Sequence, residues 1–138
     1  MIKKDVENKK THIIKLEYED DILQGLEREL KAAGIENGII MNGIGSATSS
    51  HIHVVKSTAL PPGNEYFQKE DIALDVVNMQ GYIMEDRVHC HISFADAEDG
   101  SQFGGHLEPG CRVLTFCIIT VVETETLPSL DDFELPDK

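Results

Sequence analysis

Apolar and polar residues alternate along most of this chain over short runs of five to a dozen positions, and once only does the period lengthen to that of a helix. Residues 12–18, with Ile13, Ile14 and Leu16 as apolar content, predict a first strand. Ile22, Leu26, Leu30 and Ala33 then recur at helical spacing, while Glu27, Arg28, Glu29 and Lys31 supply the solvated face. Asp20 or Asp21 can cap this helix, because a side-chain oxygen there accepts an unpaired N–H of the first turn, and Gly34 can end it. Residues 38–44 and 51–56 read as strands joined by the small-residue segment 45–50, and Pro61-Pro62-Gly63-Asn64 breaks the chain. Residues 72–84 are β-rich and reach a turn at Glu85-Asp86-Arg87, after which 88–94 return as the second arm of a hairpin. Residues 103–107 form a further short strand, Pro109-Gly110 a turn, and 112–123 a long branched run suited to the middle of a sheet. The sum is about seven strands in local connections and one main helix. That is an α+β fold with a mainly antiparallel sheet.

A length of 138 residues, 41% of them hydrophobic, predicts a single domain over 1–138, with a core at about 11–123, a charged leader at 1–10 and an acidic tail at 124–138. The longest apolar run, 114–122, falls well short of the ~20 residues that span a bilayer, so no membrane partner is expected. Residues 1–10 lack the apolar stretch of a secretory signal, which predicts a cytoplasmic protein. Cys90, Cys111 and Cys117 are odd in number, show no Cys-x-x-Cys spacing and sit among apolar residues, as buried reduced thiols do. Charge narrows the partners further. The net is -13, of which residues 125–138 carry -4, leaving -9 for the remainder, so a phosphate backbone is repelled overall. Lys3, Lys4, Lys9 and Lys10 are interrupted by Asp5 and Glu7 and read as a solvated leader.

The candidate chemistry lies in three histidines. His89 and His91 are separated by one residue, and in a strand such positions project from the same face. Val88, Cys90, Ile92 and Phe94 suit the buried face, which leaves the histidines on the other. Residues 95–102 are polar and contain Asp-Gly, so the chain can turn there and bring His106 back beside them. Neutral imidazoles favour Zn(II), with Ni, Cu, Fe or Co also compatible by ligand type. Three protein ligands leave a coordination position open, the pattern of catalytic rather than structural zinc. The competing reading is three histidines on a half-exposed strand face, each hydrogen-bonded to a neighbour or to water. Among nearby carboxylates, Glu85, Asp96, Glu98, Asp99 and Glu108, one can orient an imidazole or act as base, while turn formation accounts for most. Gly104-Gly105 suggests a bulge or a close backbone approach. His51 and His53 repeat the spacing and could form a second site, but no further ligand follows at a readable spacing, and the favoured expectation places them on a subunit contact or the outer sheet face. No complete phosphate-binding loop and no Gly-x-Ser-x-Gly is present.

Asn42-Gly43-Ile44-Gly45-Ser46-Ala47, then Val88-His89-Cys90-His91-Ile92-Ser93, then Asp99-Gly100 and Gly104-Gly105-His106-Leu107 before a long apolar strand, occur in an order and spacing that resembles the plant and prokaryote conserved (PPC) domain family over residues 11–123. The resemblance implies a small α+β domain that forms homotrimers, with His89, His91 and His106 binding one divalent transition metal ion per chain, usually zinc. His106, which plant members tend to lack, places the chain with the prokaryotic metal-binding branch. The family's customary DNA-binding label comes from plant members that carry an AT-hook. No such basic segment occurs here, so direct DNA binding is not expected from the residues. The functional expectation is a metal-binding homotrimer. A metal-dependent enzyme acting on a small molecule through the open position is the first alternative, and a DNA-binding or regulatory protein working through partners the second.

Overall fold

The computed structural model describes residues 3–128, and the sheet they form is antiparallel throughout. In chain order the elements are β1 (Asn8–Leu16), α1 (Ile22–Ala32), β2 (Gly38–Ala47), β3 (Ser50–Val55), β4 (Asn64–Lys69), β5 (Leu74–Met84), β6 (Arg87–Asp96), β7 (Gln102–Leu107) and β8 (Val113–Thr124). Their order across the sheet is β1-β8-β2-β5-β6-β7-β3-β4. The expected α+β class with one main helix is what forms, with eight strands in place of about seven. Among the described residues, no helix is long and apolar enough to cross a membrane.

The additional strand is β4. All six of its residues are exposed, so it carries no buried face to impose a period-2 pattern, and only its pairing with β3 at the sheet edge makes it a strand. Two boundaries also move. β1 begins at Asn8, inside the expected leader, because Asn8 pairs with Thr124 and the strand continues along β8 as far as the Leu16–Cys117 pair. β2 continues through Gly45-Ser46-Ala47, which had the composition of a loop. A Cβ at position 45 would stand 2.0 Å from the Phe116 carbonyl oxygen, so the small residue is what allows β2 and β8 to stay paired there. Residues 129–138, including Asp131, Asp132, Glu134 and Asp137 of the expected acidic tail, lie outside the described residues. Before them, Leu127 is buried and its N–H donates to Asn37 Oδ1 at 3.0 Å.

α1 starts where Asp21 accepts the Gln24 N–H at 2.9 Å, and the other oxygen of the same carboxylate accepts the Gly110 N–H at 2.7 Å. One side chain therefore ties the helix to the β7–β8 turn. Ile22, Leu26 and Leu30 bury the apolar stripe of the helix in a core shared with Leu16, Met79, Cys90, Phe94, Cys117 and Ile119. The three cysteines are free and buried, as their apolar surroundings suggested. In β6 the alternation holds: Cys90, Ile92 and Phe94 face this core, which leaves His89 and His91 on the opposite face.

Candidate metal centre

The histidines meet because of register. β7 lies between β6 and β3, and His106 of β7 stands directly across from His91 on one side and from His53 on the other. Directly opposed residues of antiparallel strands share a face with Cβ atoms about 4.5–5.5 Å apart, so this pairing alone gathers three imidazoles, and His89 follows from its i+2 relation to His91. Gly104 and Gly105 allow the close fit. A Cβ at 104 would meet the Ile92 carbonyl oxygen at 2.3 Å, and one at 105 the His53 carbonyl oxygen at 2.6 Å.

The ring centroids of His89 and His106 are 4.8 Å apart, those of His89 and His91 5.5 Å, and those of His91 and His106 5.7 Å. Two imidazoles on one tetrahedral zinc, at bonds of about 2.0–2.1 Å, put their centroids roughly 5 Å apart, a separation the ring centroids of the trio approach. His53 stacks on His106 at 4.3 Å, with the Tyr66 ring 5.3 Å from it on β4. Glu108 completes the group. Its Oε1 takes a hydrogen bond from His53 Nδ1 at 2.5 Å and lies 3.6 Å from His106 Nδ1. His106 Nδ1 is buried and has no hydrogen-bond partner, an arrangement that costs free energy unless a ligand or ion supplies one. The ligand atoms that cluster most tightly belong to His53, His106 and Glu108, all within 4.8 Å of one another.

Burial, then the charges of His91, His53 and Arg87, lowers the pKa of His89. Burial again leads at His106, followed by His53 and His89, against an opposing pull from Glu108. Both shifts favour the neutral form that a metal requires. Beside His89 and His91 lies an open hollow of about 540 Å³ that Ile39, Met41, Gln80 and Tyr82 also line.

His53 is the residue that sequence reasoning set aside, favouring a subunit contact or the outer face of the sheet over a second site. Its partner His106 is more than fifty residues away, and no local pattern announces that β3 pairs with β7. Glu108 carried a usable signal, since it stands at i+2 from His106. His51 stays apart from the cluster, with its Nδ1 bonded to the Pro109 carbonyl oxygen at 2.7 Å. Asp96 and Asp99 serve the turn after β6, where they accept the N–H groups of Glu98 and Ser101.

Residues 3–125, nearly the whole described chain, match the Plants and Prokaryotes Conserved (PCC) domain. The chain belongs to this family. Among solved PCC-like folds, a plant- and prokaryote-conserved protein from Pyrococcus horikoshii superposes with a TM-score of 0.78 at 22% identity, covering 100% of this chain and 98% of that one. A metal-containing protein from Archaeoglobus fulgidus gives a TM-score of 0.75 at 24% identity, over 91% and 87% of the two chains. A bifunctional protein GlmU from Synechococcus sp. (strain JA-3-3Ab) is 29% identical over 104 residues, 75% of this PCC chain. The chain spans only 16% of that relative's length.

Proposed function

We propose that this PCC-domain protein is a homotrimer that holds a divalent transition metal ion, zinc, on His89, His91 and His106 of each chain. The observation that carries the reading is the convergence of three imidazoles, two of them kept neutral by burial, at centroid separations of 4.8–5.7 Å. When bound through three histidines, zinc supplies a Lewis-acid centre with one position open to water or a small ligand. The chain's own part is to orient the rings from two adjacent strands and to keep them unprotonated. Self-association is supported by Ile13 and Ile44, 65% and 55% exposed, which with Leu114 and Phe116 leave apolar surface uncovered on the sheet face away from the core.

Untagged protein is expected to retain at least one zinc per chain after dialysis, and His89→Ala or His91→Ala to lose the ion held by the trio, as measured by elemental analysis. Light scattering is expected to report three chains per particle. Protein free of any transition metal, with trimer mass and thermal stability unchanged by either substitution, would overturn the reading.

The open hollow against His89 and His91 favours a second reading, in which a small molecule reaches the metal and is acted on there. In the Co(II)-substituted protein, added azide or acetate is then expected to shift the visible absorption bands. A site sealed by a fourth protein ligand leaves them unmoved.

A further inference from the structure

We infer that His53, His106 and Glu108 form a second cation site that shares His106 with the trio and takes a small divalent transition ion. It goes beyond the metal reading above and draws on it only for the shared His106. The donor set is two imidazoles and one carboxylate, which suits zinc, cobalt, iron or manganese. Geometry comes close to what such an ion needs. An ion with bonds of about 2.0–2.2 Å separates tetrahedral ligand atoms by roughly 3.4 Å, and His106 Nδ1 stands 3.6 Å from Glu108 Oε1. His53 Nδ1 is 2.5 Å from that same oxygen, a hydrogen bond that has to open by about an ångström to admit an ion at ordinary ligand spacing.

A plain hydrogen-bonded cluster does not account for this arrangement. Glu108 Oε1 serves His53 and leaves His106 Nδ1 buried without a partner, although that nitrogen lies on the same side as the carboxylate. A cation between the three satisfies both Nδ1 atoms and the carboxylate together. The backbone is already committed to the geometry: His53 and His106 are directly paired across β3 and β7, and Glu108 follows His106 by two positions on the same face. Tyr66 packs against His53 on that flank, with ring centroids 5.3 Å apart. His106 offers Nδ1 to this site and Nε2 to His89 and His91, and with both ions bound the bridging ring gives up its remaining N–H proton to solvent and serves as an imidazolate.

The test is a titration of chelator-stripped, untagged full-length protein with Zn(II) and with Co(II), read by calorimetry and by elemental analysis after buffer exchange. Wild type is expected to take up two equivalents per chain, the second more weakly because the His53–Glu108 bond must open first. Glu108→Gln and His53→Gln each reduce uptake to one equivalent, whereas the double substitution His89→Gln with His91→Gln removes the first and leaves the second. Circular dichroism identifies any variant that fails to fold, in which case the other of the two single substitutions decides. Wild type that stops at one equivalent, or two equivalents persisting in both Glu108→Gln and His53→Gln, overturns the second site and leaves the trio standing. Uptake lost with Glu108 and His53 but unaffected by the His89/His91 pair overturns the trio and retains the second site.

Discussion

His89 and His106 bind protons less readily than free histidines, and the cause is first their burial and then the neighbouring imidazoles. The consequence for stability has a definite sign. In the unfolded chain these rings take up protons near ~6.5, while in the folded one they resist, so between the two values the unfolded state binds more protons. Metal-free protein is therefore expected to keep the full contribution of the two rings above ~6.5 and to lose it progressively as pH falls from there toward the depressed folded values. Urea titrations across that range provide the measurement, and a midpoint that rises on acidification would contradict the argument. The cysteines behave oppositely. Burial pushes the thiols of Cys90, Cys111 and Cys117 up to about 12, so the nucleophilic thiolate is almost absent at neutral pH. Native protein at pH 8 should leave all three untouched by a disulfide-exchange reagent over the period in which denatured protein reacts completely, and rapid native labelling would argue against the burial described.

At the scale of elements, the most informative single contact is Asp21, which caps α1 through Gln24 and holds the β7–β8 turn through Gly110. Asp21→Ala removes both acceptors and is expected to cost about 2 kcal/mol in chemical denaturation, since a helix cap alone contributes ~1 and the second bond is partly buried. Asp21→Asn, with one carbonyl oxygen left, should lose roughly half of that. A loss within a few tenths of a kcal/mol for Asp21→Ala would mean that the turn and helix are held by packing alone. The helix itself was legible because Ile22, Leu26 and Leu30 lie on one stripe and an acidic residue precedes it. β4 was illegible for the converse reason. Asn64 to Lys69 buries nothing, so hydrophobic periodicity has nothing to report, and its strand character comes entirely from hydrogen bonds to β3.

For the molecule as a whole, charge sets the expectation toward nucleic acid. With a net of -13 and no basic segment of the minor-groove type in the sequence, phosphate contacts are expected to be unfavourable overall. Fluorescence anisotropy with a labelled duplex is expected to show no binding even at low salt. Binding that weakens steeply as salt is added would instead establish real phosphate contacts and revive the family's DNA-binding label for this chain. The acidic surface is compatible with cation recruitment, to which the imidazoles and Glu108 add specific ligands.

The sequence by itself determined the fold class, the main helix, the hairpin of β5 and β6, and the shared face of His89 and His91, because each depends on residues a few positions apart whose periodicity is printed in the chain. It also pointed to His106 through a short turn of polar residues. What only the tertiary structure decided is the company these three keep. His53 joins them because β3 pairs with β7 across more than fifty residues of chain, and Glu108 turns toward both His53 and His106 because that pairing sets their rings side by side. Pairing between strands distant in sequence is chosen by the packing of the entire sheet. No local pattern of hydrophobic and polar residues encodes it.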